Sequence, residues 1–224
     1  MIDDIEHGFL DLLGADDYLA LLELGVRRRF PSGTALALEG DPSHEVFVLL
    51  KGLVKVSVSS IDSREVVLDV VEARTLLGEL SAVDGGQRSA ALTALSAIEV
   101  ACIPTAAFNT FLDATPNAMR YLLVDVASRL RLRIRHQLEF GTGDAMGRVC
   151  ARLVELVERQ GGSEGPSVTV RSPVSQANLA AWTGLSREAV VKALQSLRQL
   201  GWVENTGADI LIRDLDRVRG RAVR

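Results

Sequence analysis

Residues 115–140, Thr115-Pro116-Asn117-Ala118-Met119-Arg120-Tyr121-Leu122-Leu123-Val124-Asp125-Val126-Ala127-Ser128-Arg129-Leu130-Arg131-Leu132-Arg133-Ile134-Arg135-His136-Gln137-Leu138-Glu139-Phe140, decide how the rest of the chain is read. Thr115 is a good N-cap, and Pro116 suits a first helical position, where its missing N–H costs nothing. Met119, Leu123, Val126 and Leu130 follow at spacings of four, three and four, and the stripe continues through Ile134 or Gln137. One uninterrupted helix is predicted, on the order of 37 Å long. A small domain does not cover a helix of that length, so the stripe reads as a dimer seam meeting its symmetry mate. The competing reading is a core helix of a single domain.

The same segment carries Arg129, Arg131, Arg133 and Arg135. Cations four apart are neighbours on a helix surface and repel by a few tenths of a kcal/mol unless an anion lies beside them. Asp125, four residues before Arg129, is the candidate partner. A solvated charged face and a site for a phosphate-bearing ligand both fit this row, and the flanking sequence has to choose between them.

Working outward, 224 residues suffice for two domains of ordinary size, and 47% hydrophobic residues for two cores. The first residues, Met1-Ile2-Asp3-Asp4-Ile5-Glu6, are acidic, and no apolar run approaches the roughly 18 residues of a membrane span. A soluble, cytoplasmic protein with no membrane partner is expected. Cys102 and Cys150 stand far apart without ligand spacing, which gives no support to a metal site, a haem or an iron–sulfur cluster, or to a disulfide framework. Both cysteines are expected as small buried apolar residues. His7, His44 and His136 are scattered and no nucleophile–base pair appears, so an enzyme is not expected. The net charge of −4 divides unevenly, with 8 cations and 18 anions in residues 1–115 against 17 cations and 11 anions in residues 116–224. Such asymmetry suggests a C-terminal half that meets a polyanion.

Residues 3–24 read as helical, with a break at Gly14. From residue 26 to residue 100 the pattern changes to short β-rich runs, among them 45–50, 53–59 and 65–71, bounded by Gly, Pro, Asp or Ser. Strands at this spacing imply an antiparallel sandwich or roll. Lys51-Gly52 and Ile61-Asp62-Ser63 are the expected hairpin turns. Then come Leu77-Gly78-Glu79-Leu80-Ser81, a polar segment around Asp84-Gly85-Gly86, and Gln87-Arg88-Ser89-Ala90-Ala91. This reads as a small-residue loop with backbone amides for an anion, a guanidinium, a hydroxyl, and a carboxylate able to accept from a sugar hydroxyl.

Gly33, Glu39-Gly40, Phe47, Gly52, Val54, Gly78-Glu79-Leu80 and Arg88-Ser89-Ala90 resemble the cyclic-nucleotide-binding β-roll of the cyclic-AMP receptor protein family, CRP/FNR. The resemblance implies that Glu79 holds the ribose 2′-hydroxyl, that Arg88 and Ser89 hold the cyclic phosphate, and that Gly78 and Ala90 allow close backbone approach, with Leu80 inside the same cassette. An alternative is that Glu79 and Arg88 simply pair with each other. The chain departs from the family pattern twice. Arg74-Thr75 replaces a Gly-acid turn, which is expected to differ because arginine takes a positive φ at a cost. On the long helix, Arg129 matches the phosphate-side arginine, but Arg133-Ile134 replaces the Thr-Ser pair that reads adenine. Arg133 only donates and Ile134 forms no hydrogen bond. Cyclic AMP is therefore the ligand implied by resemblance, with cyclic GMP, or another nucleotide whose base accepts from arginine, as the competitor.

The last segment follows Gly141-Thr142-Gly143-Asp144, which is read as a flexible hinge. Residues 145–160 form an amphipathic helix with Val149, Leu153, Leu156 and Val157 inside, then a loop over 161–166 and a strand at Val168-Thr169-Val170. Ser175 caps a helix over 176–182 that starts at Gln176, Thr183-Gly184-Leu185 makes a tight turn, and Ser186 caps a second helix over 187–200 that Gly201 ends. This is a helix-turn-helix. Val190, Leu194 and Leu197 point to the core and leave Arg187, Glu188, Val191, Lys192 and Gln195 on the groove-facing side. Residues 202–212 complete a β-hairpin wing. Leu185-Ser186-Arg187-Glu188-Ala189-Val190 is similar to the start of the family's recognition helix.

The fold class expected is α+β, with an N-terminal antiparallel β-roll or jelly roll over residues 1–115, a long dimerisation helix and hinge over 116–143, and a C-terminal winged helix-turn-helix over 144–224. The function expected is a homodimeric, sequence-specific transcription regulator controlled by a cyclic nucleotide, with promoter DNA, a second copy of itself and RNA polymerase as partners. The alternative is the same DNA-binding regulator with a sensor domain that binds no cyclic nucleotide, either constitutive or docking a partner or another effector.

Overall fold

The run Val46-Phe47-Val48-Leu49 is apolar at every position, which suits a strand only if both of its faces are covered. The computed structural model describes residues 8–60, 65–142, 144–159, 168–170, 175–206 and 209–222, and covers both faces of that strand. Short helices α1 (Phe9–Leu12) and α2 (Ala15–Glu23) precede the strands β1 (Val26–Phe30), β2 (Ala35–Ala37), β3 (Glu45–Lys51), β4 (Val54–Ser59), β5 (Glu65–Val71) and β6 (Thr75–Leu77). Helix α3 (Glu79–Asp84), β7 (Ala91–Ala94), β8 (Ile98–Pro104), α4 (Thr105–Ala114) and α5 (Ala118–Thr142) follow. The strands form two four-stranded antiparallel sheets, in the orders β1-β8-β3-β6 and β2-β7-β4-β5.

Alternation along β3, β6 and β8 sends side chains to two cores. Phe47, Leu49, Leu77, Val100 and Cys102 meet Val54, Val71, Leu92 and Ala94 between the sheets. Val46, Val48, Leu76, Ala101 and Ile103 face outward, where Phe9, Leu10, Leu21, Phe108, Leu112 and Leu122 of the helices cover them. A roll with one helix-covered wall results, and its interior is the space the two sheets share.

Several local expectations are corrected. Thr115 terminates α4, its N–H donating to the Phe111 carbonyl, and α5 starts at Ala118 behind Asn117, whose φ is +63°. The Phe111 and Leu112 side chains hold that earlier helix in the core, so Thr115 ends one helix rather than capping the next. Lys51-Gly52 is no hairpin turn, because β3 and β4 belong to different sheets. It is a corner between them, where Gly52 has a φ of +88° and a Cβ would lie 2.5 Å from the Ala97 carbonyl. The segment leading to Asp84 is helix α3 rather than loop. Arg74 does take a positive φ, +68°. A left-handed non-glycine residue costs about 1–2 kcal/mol, and Arg74 offsets this with bonds from Nε to Asp11 Oδ1 (2.9 Å) and from Nη2 to the Leu10 carbonyl (3.3 Å), and by lying 5.1 Å from the Tyr18 ring centre.

The chain separates into two compact units, Met1–Arg133 and Ile134–Arg224. Helix α5 extends to Thr142, and Gly143 of the expected hinge lies outside the described residues. Asp144 then begins α6 (Ala145–Arg159) by accepting from the Gly147 N–H at 2.8 Å. Val149, Leu153, Leu156 and Val157 are buried as their spacing predicts. β9 (Val168–Val170), α7 (Gln176–Thr183), α8 (Arg187–Gln199), β10 (Val203–Thr206), β11 (Asp209–Ile212) and α9 (Leu215–Ala222) follow. The wing is a three-stranded sheet ordered β10-β11-β9, one strand more than a hairpin. Helix α9 was not anticipated. Its Leu215 and Val218 are buried, and Arg221 pairs with Asp144. The turn at 61–63, the loop at 161–166, Ile5, Gly143 and Gly207 lie outside the described residues, as do the side chains of Arg135 and Gln137.

Candidate ligand site and nucleic-acid interface

At the end of β6 the chain turns through Gly78, with a φ of +81°, into α3. A Cβ on Gly78 would lie 2.1 Å from Nη1 of Arg88, so only glycine leaves room for that guanidinium. Arg88 donates through Nη1 to the Gly78 carbonyl (3.0 Å) and to Ser81 Oγ (3.2 Å), and through Nη2 to the Glu45 carbonyl. Its guanidinium lies 5.4 Å from the centre of the Phe47 ring, which belongs to the roll interior. Burial pulls the Arg88 pKa down, opposed by the charges of Glu79, Glu45 and Asp41. Pairing of Glu79 with Arg88 is not what forms: Arg88 takes two carbonyls and a hydroxyl, and Glu79 takes a different arginine.

That arginine is Arg129 of α5. Its Nη1 donates to Glu79 Oε1 at 3.0 Å, Nη2 to Asp125 Oδ2 at 2.6 Å and to the Leu76 carbonyl at 3.2 Å, and Nε to Asp125 Oδ1 at 3.0 Å. Asp125 is thus the partner its spacing predicted. Glu79 is 5% exposed, and burial raises its pKa despite the opposing charge of Arg129. Arg129 is only half-buried, and the carboxylates of Glu79 and Asp125 hold its pKa above the ordinary value against its own desolvation.

One turn further along α5, Arg133 donates to the Leu68 carbonyl and, at 3.3 Å, to Asp69 Oδ2 of β5. The like-charge row of the long helix is therefore relieved by a carboxylate for each of these two arginines. Leu80 and Ser89 are exposed and Ala90 is half-buried. Gly78, Glu79, Arg88 and Arg129 come together in one cluster, with Arg133 beside it. Ser81, the Glu45 carbonyl and Asp69 were not anticipated. Only Asp69 had a signal in sequence, as a charge interrupting the apolar run Val66-Val67-Leu68-Asp69-Val70-Val71.

In the second unit, Ser175 Oγ accepts from the Asn178 N–H and Ser186 Oγ from the Ala189 N–H, each at 3.2 Å, so both helices of the helix-turn-helix have the caps predicted. Gln176 opens α7, and Gly184 closes it in a left-handed conformation. Val190, Ala193, Leu194 and Leu197 anchor α8, while Arg187, Glu188 and Lys192 are exposed on its other side. The Glu188 pKa is lowered by its own backbone N–H and by the Ser186 hydroxyl, which keeps it ionised at the helix start. Arg152 is buried, pairs with Glu155 at 2.5 Å and lies 5.7 Å from the Trp182 ring centre, fastening α6 to α7. Among the described residues no cluster of metal-ligating side chains occurs, and no helix is long and apolar enough to cross a membrane.

Residues 27–115 match the cyclic nucleotide-binding domain, and residues 147–221 match the Crp-like helix-turn-helix domain. A CRP-like cAMP-activated global transcriptional regulator of Mycobacterium tuberculosis is 31% identical over 193 residues, covering 86% of each chain. The chain belongs to the CRP/FNR family of transcription regulators. As a CRP/FNR member it is a DNA-binding transcription regulator with a cyclic-nucleotide-binding domain, in a family of regulators rather than enzymes. The cAMP-activated global regulator CRP of Escherichia coli is 24% identical over 185 residues, 82% of this chain and 88% of that one. Among solved structures, FixK2 of Bradyrhizobium japonicum shares the fold with a TM-score of 0.78 at 22% identity, over 88% of this chain and 96% of that one.

Proposed function

We propose that this CRP/FNR regulator is a homodimer whose DNA binding is controlled by a 3′,5′-cyclic nucleotide held in the roll. The observation that carries the proposal is the Arg88 guanidinium turned into an apolar interior over Phe47, with a glycine cradle that a Cβ would fill and a buried carboxylate, Glu79, in the same cassette. A buried cation and carboxylate are costly in a purely structural role, and together they match a cyclic phosphate and a ribose hydroxyl. In this reading Arg88 and Ser89 hold the phosphate, Glu79 accepts from the ribose, and Gly78, Leu80 and Ala90 shape the cassette. Arg129 adds a cation from α5, and Arg133 lies on the base side. The relatives' names make cyclic AMP the first nucleotide to test. Calorimetry with cyclic AMP and cyclic GMP is expected to show binding by the wild type and loss of it in Arg88→Ala; binding unaffected by that change refutes the phosphate assignment.

On DNA, Arg187, Glu188 and Lys192 read base edges of one half-site, while Ser175, Gln176 and Ser186 contact its backbone. The dimer rests on Met119, Leu123, Leu130 and Ile134, which are 47%, 67%, 59% and 52% exposed on α5. Leu123→Asp is expected to give monomers by light scattering, and a variant still dimeric at micromolar concentration moves the seam elsewhere. Promoter DNA, the second copy and RNA polymerase are the partners, and the cytoplasm is the compartment.

A second reading has its own support. Glu79 already accepts from Arg129 and Arg88 already donates to carbonyls, so the cluster is satisfied by protein groups. A sensor that binds no cyclic nucleotide and leaves DNA binding constitutive fits that arrangement. It predicts operator affinity unchanged by either nucleotide.

A further inference from the structure

β4 and β5 pair with one irregularity, and a carboxylate stands beside it. Ser57 is opposite Val67, and the next residue of β4, Val56, is opposite Asp69, so Leu68 is the extra residue of a β-bulge. From Asp69 onward the pairing is regular, with Val56 opposite Asp69 and Val54 opposite Val71, so Asp69 shares the face of Val56, Val54 and Val71, all of which belong to or pack on the core between the sheets. Asp69 therefore presents its carboxylate to the roll interior.

The structure holds that carboxylate in place. Arg133 donates to Asp69 Oδ2 and also to the carbonyl of Leu68, the bulged residue, while the Val70 N–H donates to Asp69 Oδ1 at 2.8 Å. Arg133 lies four residues after Arg129 on α5, about 6 Å along the axis, and the charge of Asp69 is felt by Arg129. The row Glu79, Arg129, Asp69, Arg133 thus runs from the carboxylate assigned to the sugar toward the place its base would occupy.

We propose that Asp69, positioned by Arg133, reads the base of the bound nucleotide and selects guanine over adenine. The inference rests on the cyclic-nucleotide reading of the cassette and adds the base to it. An ionised carboxylate only accepts. Guanine offers it two adjacent donors, N1–H and the 2-amino group, which match its two oxygens. Adenine offers one donor, the 6-amino group, beside the N1 lone pair, which repels the second oxygen. Arg133 is a positioning residue that fixes the plane of the carboxylate.

The test is titration of the full-length protein with 3′,5′-cyclic GMP and 3′,5′-cyclic AMP, for the wild type, Asp69→Asn and Arg88→Ala. The wild type is expected to bind cyclic GMP at least tenfold more tightly than cyclic AMP. Asp69→Asn replaces one acceptor by a donor and matches adenine's donor–acceptor edge, so cyclic GMP should weaken at least tenfold while cyclic AMP tightens. A gain for cyclic AMP also shows that the variant is folded. Arg88→Ala should lose both nucleotides. A wild type that prefers cyclic AMP, or an Asp69→Asn variant with the wild-type preference, overturns the base assignment while binding that depends on Arg88 leaves the cassette reading standing. If the wild type binds neither nucleotide, the cassette reading and the base assignment fall together.

Discussion

The charges inside the roll are committed to protein partners, whereas those on the recognition helix stand in water. Arg129 is shared between two carboxylates with side chains 6% exposed, and Arg88 is fastened to two carbonyls and a hydroxyl. Arg187, Glu188 and Lys192 are exposed. Under the proposed function, the difference follows from what each surface would recognise. A small ligand makes few contacts, so the groups that meet it have to be ordered beforehand, and burial makes each unpaired charge expensive. A DNA duplex brings a dense row of phosphates and releases counterions when they are neutralised, so long solvated side chains on a rigid helix suffice.

Removing one charge from each region is the most direct way to break the comparison. Arg129→Ala strands Glu79 and Asp125 as buried anions, and should destabilise the protein by about 3–5 kcal/mol in urea unfolding. A change below 1 kcal/mol, within the spread of ordinary surface substitutions, would show that the roll cluster is as dispensable as a surface pair. Arg187→Ala should leave unfolding within about 0.5 kcal/mol of wild type, yet weaken binding to a selected operator by about 1–3 kcal/mol and relax preference at a single base position. Uniform weakening across sequences would reassign Arg187 to a phosphate.

Ser186 sharpens the comparison, because it belongs to the exposed region yet has a structural task. Ser186→Ala removes the acceptor for the Ala189 N–H and should cost about 1 kcal/mol of stability. A larger loss in operator affinity than in stability would support the backbone contact proposed for it.

The smallest effect expected is a pH dependence from Glu79. Burial raises its folded pKa above the ordinary 4.5. A carboxyl whose pKa is higher in the folded than in the unfolded state stabilises the fold below the unfolded value, and that contribution is lost as pH rises through the folded value. The stability of the wild type relative to Glu79→Gln should therefore fall as pH is raised from the ordinary carboxylate range. A relative stability that rises over that window would mean that Arg129 holds the carboxyl below its ordinary value.

Much of this was legible before the structure. Sequence-local motifs are legible in the chain: the caps Ser175 and Ser186, the buried stripe of α6 and the Asp125–Arg129 pair. Each depends on spacings of three or four residues or on a backbone requirement of one residue. What misled was partnership at long range. Lys51-Gly52 has the composition of a hairpin turn, but which sheet β4 joins depends on β5 and β7. Arg74 was expected to avoid a positive φ, and takes it because Asp11, Leu10 and Tyr18 are folded against it. The polar composition around Asp84 suggests a loop, whereas α3 is a helix whose Glu79, Ser81 and Ala82 are buried by tertiary packing that local propensity does not report.

The sequence by itself determined the α+β order of elements, the helix-turn-helix with its capped recognition helix, and the residue types of the cassette. Those properties rest on hydrophobic period, capping chemistry and glycine, which act over a few residues. Only the tertiary structure decided that Glu79 is paired with Arg129 rather than Arg88, and that Asp69 of β5 meets Arg133. Both outcomes depend on which of several nearby opposite charges the packing of α5 against the strands brings within reach. A difference of one residue in register reverses the face a side chain occupies, and no local pattern in a chain reports the register of a partner strand.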